Sequence, residues 1–202
     1  MGSIQTNIEH KISHLKKGSL IFPADFRGEG SSAAIKMALS RLTAKGKLKR
    51  LSHGIYYVPK QDRVFGELYP DPEKVAEAVA KREKVRIRPT GSQALHKLGL
   101  TTQVPTKMTY LTDGERRQVK MGNLYIEFKP TTPKKMAFEG ELSSLVILGL
   151  IEIGTKNLSA EFEKRVKEIL QSEKSEALTK DLALAPAQVY DFIIHLLSDS
   201  HD

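Results

Sequence analysis

Apolar residues near the start of the chain recur at the three- and four-residue spacing that places them on one face of a helix. The first such stripe consists of Ile4, Ile8, Ile12 and Leu15, and the second consists of Ile35, Leu39 and Leu42. Gly18 and Gly46 follow the two stripes, and glycine readily adopts the left-handed conformation that ends a helix. Ser31 or Ser32 precedes the second stripe, where a serine oxygen accepts hydrogen bonds from unpaired N–H groups. The pattern therefore predicts two amphipathic helices with defined ends.

Strand and turn signals lie between and after these helices. A short extended run leads to Pro23, which opens a short helix because proline is well placed in a first turn. The segment after Gly46 has two leucines among basic residues, a turn at 52–54 and a β-prone run at 55–58, which together predict a hairpin. The order helix, strand, helix, helix, hairpin is that of a winged helix-turn-helix, which we predict for residues 1–60.

Positive charge is concentrated in the same segment. The chain carries 32 Lys and Arg against 24 Asp and Glu, a formal net charge of +8. Residues 1–60 hold 11 basic and 3 acidic residues, whereas residues 61–202 hold 21 of each. A basic surface attracts polyanions and makes their binding salt-dependent. An ordinary solvated basic face is the alternative, but the coincidence of charge with the helix and hairpin pattern favours DNA binding.

The candidate DNA-contacting residues lie on the second amphipathic helix and on the hairpin. On the helix, a polar flank would face the major groove, while the hairpin residues would hold the phosphate backbone. The helix group is Ser31, Ser32, Lys36, Ser40 and Arg41, and the wing group is Lys47, Lys49, Arg50 and His53. For His53, an ordinary role in the turn is the alternative. We expect two copies on repeated half-sites, which corresponds to a homodimer on operator DNA.

The remainder of the chain alternates between strand and helix patterns. Residues 61–72 are polar and contain Pro70-Asp71-Pro72, so we interpret them as a linker. A basic run at 81–88 and three later β-prone pieces predict a small, mainly antiparallel sheet, and apolar helical stretches follow from Glu139. We therefore predict the α+β class: an N-terminal winged helix-turn-helix, then a small sheet domain with C-terminal helices over residues 73–200.

Residues suited to catalysis or metal binding are sparse. The chain has no cysteine, which rules out disulfides and thiolate metal sites and suits a reducing cytosol. His10 and His14 lie four positions apart, as in some metal sites, but no third ligand accompanies them. A phosphate site beside Ser92, at the start of a short helix, is less economical than ordinary capping. We expect no catalytic residue, no metal and no cofactor, and hence no enzyme.

Neither a membrane span nor a secretory signal is predicted. No apolar run reaches the roughly 18 residues that a transmembrane helix needs, and the N-terminus lacks the apolar core of a signal peptide. Met1-Gly2-Ser3 begins a match to the N-myristoylation pattern, which is short enough to occur often by chance, so we set it aside. The expectation is a cytoplasmic protein without a membrane partner.

Two segments share specific residues with a known family. The first contains Leu39, Leu42, Gly46-Lys47-Leu48-Lys49-Arg50-Leu51 and Gly54-Ile55-Tyr56-Tyr57. The second contains Arg88-Pro89-Thr90-Gly91-Ser92, Ala94-Leu95, Leu98-Gly99-Leu100, Thr109-Tyr110-Leu111-Thr112 and Gly114. Together they resemble the AbiEi-like antitoxins of bacterial type IV toxin–antitoxin systems. The resemblance covers roughly residues 5–155, and residues from Asn157 onward match the family pattern least.

The resemblance implies a DNA-binding winged helix that represses its own promoter, and a second domain needed for antitoxicity. It also implies a bacterial operon partner, a nucleotidyltransferase-like toxin, which such antitoxins are thought to counter without a stable complex. The predicted function is accordingly a DNA-binding antitoxin and transcriptional autorepressor. The alternatives are a stand-alone winged-helix regulator whose second domain senses a ligand or dimerises, an enzyme acting on nucleic acid, and a pure protein-interaction module.

Overall fold

A computed structural model describes residues 3–102 and 107–198 of the chain. Its contacts group into two compact units, Met1–Arg82 with Val119–Tyr125, and Glu83–Gln118 with Ile126–Asp202. Outside the described residues lie Met1-Gly2 of the myristoylation pattern and the last two positions of the predicted second domain.

The elements of the first unit follow the predicted order as far as the wing hairpin, after which come a second hairpin and a helix. They are α1 (Ile4–Ser13), β1 (Leu20–Ile21), a 3-10 helix (Pro23–Phe26), α2 (Ser32–Ala44), β2 (Lys49–Ser52), β3 (Ile55–Tyr57), β4 (Lys60–Asp62), β5 (Gly66–Leu68) and α3 (Pro72–Glu83). Strands β1, β3 and β2 form an antiparallel sheet in that order. The fold is α+β with an N-terminal winged helix-turn-helix, which confirms the predicted fold class.

Local signals determine where α2 begins and ends. The Ser31 hydroxyl oxygen accepts a hydrogen bond from the Ala34 N–H at 3.2 Å, so Ser31 is the N-cap. Gly46 follows the helix with φ near +71°, a left-handed conformation that glycine adopts without strain. The apolar stripe of α2 packs against α1 and the sheet. The buried cluster includes Ile8, Ile12, Ile35, Ala38, Leu39, Leu42, Leu48 and Tyr56.

The wing hairpin of β2 and β3 contains a bulge. Arg50 pairs with Tyr56 and Ser52 pairs with Ile55, so two steps along β2 oppose one step along β3. The extra residue, Leu51, is buried, whereas Lys49 and Arg50 are both exposed. Lys49 and Arg50 pair in regular register with Tyr57 and Tyr56 before the bulge, and the hairpin presents both cations to solvent.

Residues 61–72, which we interpreted as a linker, contain most of a second hairpin and the start of α3. Strands β4 and β5 pair antiparallel, with Lys60 opposite Leu68 and Asp62 opposite Gly66. Each strand has only three residues and the composition is polar, so the segment shows none of the alternation that predicts strands. The contacts divide the chain after Arg82 and not at this segment.

The second unit combines a small sheet with a helical core. The remaining elements are β6 (Ile87–Pro89), α4 (Gly91–Lys97), β7 (Lys107–Thr112), β8 (Arg117–Met121), β9 (Leu124–Pro130), α5 (Pro133–Met136), α6 (Glu141–Ile153), α7 (Ala160–Gln171), α8 (Ser175–Leu184) and α9 (Ala187–Ser198). Residues Val119–Tyr125, around the turn between β8 and β9, group with the first unit. The strand order is β6-β7-β9-β8, with β6 antiparallel to β7. The small antiparallel sheet and the C-terminal helices agree with the prediction.

Strand β6 is shorter than the basic strand predicted from the run at 81–88. Lys84 has φ near +58°, a left-handed conformation incompatible with an extended strand. Strand β6 therefore begins only at Ile87.

Helix α6 lies at the centre of the second unit's core. A Cβ on Gly91 of α4 would lie 2.2 Å from the Glu152 Cβ and 2.7 Å from the Leu148 carbonyl oxygen of α6. The core side chains include Ala94, Val146, Ile147, Leu148, Leu150, Val166, Leu170 and Ile193. Within residues 3–102 and 107–198, no helix is long and apolar enough to cross a membrane.

Candidate nucleic-acid interface

The outward face of α2 carries the residues predicted to read DNA. Ile35, Leu39 and Leu42 turn into the core, so the opposite side of the helix meets solvent. All five helix candidates are exposed: Ser31, Ser32, Lys36, Ser40 and Arg41. The Ser31 hydroxyl oxygen already accepts the Ala34 N–H, so Ser31 mainly defines the start of the helix.

Three small or apolar residues, which the sequence analysis did not assign, share this face. Met37 has 54% of its side-chain surface exposed, and Ala33 and Ala44 are also exposed. Met37 and Ala44 lie three or four positions from Ser40 and Arg41, and Ala33 lies four positions before Met37. This helical periodicity could have predicted from the sequence that they share the face. The face therefore combines cations, hydroxyls and a flexible thioether, and its alanines leave room for close approach.

The wing presents Arg50 and His53 together at its tip. The Arg50 guanidinium lies 3.2 Å from the His53 Nδ1 and donates a 3.4 Å hydrogen bond to the Ser52 carbonyl oxygen. Both side chains are exposed. The contact orients the guanidinium and the imidazole toward one another, so the wing tip carries a positioned cation beside a titratable ring.

Lys49 differs from Arg50 because an acid lies beside it. The Lys49 Nζ lies 3.1 Å from a Glu67 carboxylate oxygen, and the Tyr57 hydroxyl donates a 2.5 Å hydrogen bond to the other oxygen. These bonds, from Tyr57 first and Lys49 second, hold the pKa of Glu67 below its ordinary value. Burial is the main cause that raises the pKa of Tyr57, and the hydrogen bond to Glu67 is the next. Lys49 is thus partly neutralised by a residue of the second hairpin.

The remaining candidate cations are not neutralised in this way. Lys36, Arg41 and Lys47 are exposed, and no carboxylate of the described residues lies within ion-pair distance of them. Elsewhere in the same unit, Lys11 pairs with Glu29 and Arg82 lies 3.7 Å from Asp25. The outward face of α2 and the connection to the wing therefore carry unpaired positive charge.

The second unit neutralises much of its positive charge internally. Arg86 bonds Asp113 at 2.8 Å, and Lys107 bonds Glu127 at 2.6 Å. The Arg86 bonds hold the pKa of Asp113 below its usual range. The side chain of Arg88 is partly buried and donates to the Phe138 carbonyl oxygen. The pairing of Arg86 with Asp113 thus neutralises part of the basic run at 81–88.

Two carboxylates of the second unit hold the start of α6. The fully buried Asp181 accepts from the Glu139 and Gly140 N–H groups at 2.7 and 3.1 Å, and from the Ser143 hydroxyl at 2.6 Å. Glu173 accepts from the N–H groups of Leu142 and Ser143. Burial alone would raise the pKa of Glu173, but its hydrogen bonds outweigh burial and lower it.

These two acids act as long-range helix caps. Their oxygens satisfy N–H groups that have no partner within the helix, and Gly140 leaves them room, since a Cβ there would lie 2.0 Å from the Ser143 Oγ. Sequence analysis missed the pair because the acids lie roughly 30 to 40 positions away from the N–H groups that they cap.

His10 and His14 lie close together at the end of α1. The rings of His10 and His14 lie 4.6 Å apart, and the His14 Nδ1 lies 2.8 Å from the His10 carbonyl oxygen. Among the residues that the structure describes, no group of three His, Cys, Asp or Glu side chains is placed to hold a metal ion.

Comparison with known proteins gives one family. The profile of a family of unknown function, DUF6088, matches residues 7–178, which include both segments discussed above and most of the second unit. A search of curated proteins finds no match. Because the profile covers most of the chain, this protein belongs to the family of unknown function DUF6088.

Proposed function

We propose that this protein is a DNA-binding antitoxin and transcriptional autorepressor of a type IV, AbiE-like toxin–antitoxin operon. The observation that carries the DNA-binding part is the outward face of α2, where unpaired Lys36 and Arg41 flank small side chains on a winged helix-turn-helix. An α-helix of this kind fits the major groove of duplex DNA. The family match itself names no function.

The chemistry of the face suits base and backbone contacts. Arginine and lysine donate hydrogen bonds to guanine or to phosphate oxygens, and serine hydroxyls donate to or accept from either. The exposed Met37 offers an apolar contact of the kind that a thymine methyl group accepts. Lys47 precedes the wing and Arg50 lies in its first strand, so both would hold the flanking phosphates.

The second unit is the proposed antitoxin part. Support comes from the resemblance of residues 88–114 to AbiEi-like antitoxins. In the structure, α4 within this segment packs closely on α6, so the shared residues there maintain the unit's core. The proposed partner is a nucleotidyltransferase-like toxin, countered without a requirement for stable contact. We also propose a cytoplasmic location and no enzyme activity.

The test uses the DNA immediately upstream of the coding sequence and the neighbouring gene. We expect the purified protein to retard this duplex in a gel, to repress a reporter placed behind it, and to rescue cells that express the neighbouring gene. The Lys36→Ala/Arg41→Ala variant should weaken the shift strongly and lose the repression. The matched control, Lys156→Ala/Lys164→Ala, removes two exposed cations of the second unit and should retain both.

The outcomes separate the alternatives. Repression without rescue would replace the antitoxin by a stand-alone regulator. No gel shift at low salt would contradict DNA binding and favour a protein-interaction module. Nuclease or nucleotidyltransferase activity in the purified protein would favour the enzyme alternative.

A further inference from the structure

The second hairpin, β4–β5, ends in an apolar tip. Val64 and Phe65 at its turn are 83% and 80% exposed, more than any other large hydrophobic side chain of the described residues. Exposed side chains of this size are costly to leave in water. Their position at the tip of a projecting hairpin points to a binding role.

The tip is rigid because its own residues hold the turn. An Asp62 carboxylate oxygen accepts hydrogen bonds from the Val64 and Phe65 N–H groups, at 2.8 and 3.0 Å. Gly66 adopts φ near +71°, which the return into β5 requires. The backbone of the turn is therefore held in place, which lowers the conformational entropy that the backbone would lose on binding.

The hairpin is attached to the wing through Glu67. This carboxylate accepts hydrogen bonds from Tyr57 of β3 and from Lys49 of β2. The rings of Tyr57 and Tyr69 lie 6.2 Å apart, which adds an aromatic contact between the same two regions. The second hairpin is thus fixed to the wing that we propose lies on DNA.

Two exposed cations, Lys60 and Arg63, flank the apolar pair, and the partly exposed Asp62 carboxylate lies in the same turn. Asp62 is occupied by the turn N–H groups and Glu67 by Lys49 and Tyr57. Lys60 and Arg63 are exposed, and no carboxylate of the described chain lies within ion-pair distance of them. The tip therefore combines an apolar wedge with two cations, which suits a polyanion with stacked apolar surfaces.

A protein partner fits this tip less well. A stable protein interface buries about 800 Å² on each side, whereas an aromatic side chain buries roughly 150–250 Å². Proteins that bind the DNA minor groove use an arrangement closer to this one: basic side chains on phosphates and an apolar wedge between base pairs, which kinks the duplex.

We infer that the β4–β5 hairpin enters the minor groove beside the wing's contact and inserts Phe65 between two base pairs. Val64 lines the opened step, and Lys60 and Arg63 contact the flanking phosphates. The duplex is kinked as a result. This inference deepens the proposed function and rests on it.

The chain has no tryptophan, so a Phe65→Trp variant places a single indole at the tip. With a duplex copied from the upstream DNA, we expect a loss of roughly half of the indole emission, because bases stack on the ring. The control variant Tyr190→Trp places the indole on the exposed α9 position of the second unit, and its emission should stay constant while anisotropy reports binding.

A second variant, Phe65→Ala, tests the kink. We expect end-to-end energy transfer in a doubly labelled duplex to show bending by the wild type and by Tyr190→Ala but not by Phe65→Ala, whose affinity should fall about tenfold. The thermal unfolding midpoint should not fall, because Phe65 lies in solvent.

Binding with unchanged indole emission, or undiminished bending by Phe65→Ala, would overturn the inference and leave the proposed function intact. If the wild type is a dimer without DNA and Phe65→Ala is a monomer, Phe65 contacts a second copy of the chain. That result would also overturn the inference. Absence of duplex binding by the wild type would overturn both.

Discussion

Single residues join parts of this chain that are distant in sequence. Glu67 joins β5 to both strands of the wing through Lys49 and Tyr57, and Asp181 joins α8 to the start of α6. In each case one carboxylate satisfies several donors. Since buried or half-buried polar groups cost free energy when they lose their partners, these two residues should be sensitive positions.

Asp181→Ala should destabilise the second unit. The change removes an acceptor for two N–H groups and the Ser143 hydroxyl at a fully buried site. We expect the free energy of unfolding in urea to fall by about 3 kcal/mol, the typical loss for charge-assisted hydrogen bonds whose donors stay buried. Asp191→Ala, an exposed substitution on α9, should change it by less than about 0.5 kcal/mol. Equal effects of both substitutions would contradict the capping role.

Glu67→Gln should change how stability depends on pH. The pKa of Glu67 in the folded protein lies below its ordinary value of 4.5, so its charge stabilises the fold above that value. This stabilisation is lost as the pH falls through the lowered pKa. The wild type should therefore exceed Glu67→Gln in unfolding free energy at neutral pH, and the difference should shrink below pH 4.5. A difference that is independent of pH would refute the assignment.

At the scale of elements, two hairpins and one helix pair decide the behaviour of the chain. Strand β2 exposes two adjacent cations on the wing, the second hairpin neutralises one of them, and glycine allows α4 to approach α6 closely. Substitutions at single positions can test each of these features.

The two wing cations should differ in their share of DNA binding. Arg50→Ala should lower the slope of log K against log salt by about 0.9, the value for one phosphate contact. Lys49→Ala should lower it by clearly less, because Glu67 already neutralises part of that charge. Fluorescence anisotropy over a range of salt concentrations gives both slopes. A larger effect for Lys49→Ala than for Arg50→Ala would show that Lys49 leaves Glu67 on DNA.

Gly91→Ala should disturb the packing of α4 on α6. The new Cβ would meet the Leu148 carbonyl oxygen, a backbone atom that cannot rotate away. We expect a loss of about 2 kcal/mol in unfolding free energy, as for overpacked cores. The neighbouring Ser92 is exposed, and Ser92→Ala should change stability by less than about 0.5 kcal/mol. Near-equal stability of the two variants would disprove the close approach.

At the scale of the whole molecule, the sequence predicts what depends on local signals. The Ser31 cap, the stop at Gly46 and the turn at 52–54 lie next to the residues they organise, so α2 and the wing agree with the prediction. The second hairpin was missed because six strand residues show no alternation. The partners of Lys49 and Asp181 were missed because hydrogen bonds across long sequence separations leave no local pattern.

Charge is the property of the whole molecule that connects fold and proposed function. The excess positive charge falls in residues 1–60, and the described part of that segment leaves Lys36, Arg41 and Lys47 without an acidic partner. The rest of the chain is balanced in formal charge. We therefore expect the outward face of α2 and the wing to contribute to the salt dependence of DNA binding.

Salt-dependent anisotropy with a labelled duplex from the upstream DNA tests this claim most directly, with the wild type, Lys36→Ala/Arg41→Ala and Lys156→Ala/Lys164→Ala compared. We predict that the α2 double variant lowers the slope of log K against log salt by roughly 1.8, the value for two cations that neutralise DNA charge, and that the second-unit variant leaves it unchanged. Equal slopes for the two double variants, or no binding by the wild type at low salt, would contradict the claim that α2 is the DNA-reading element.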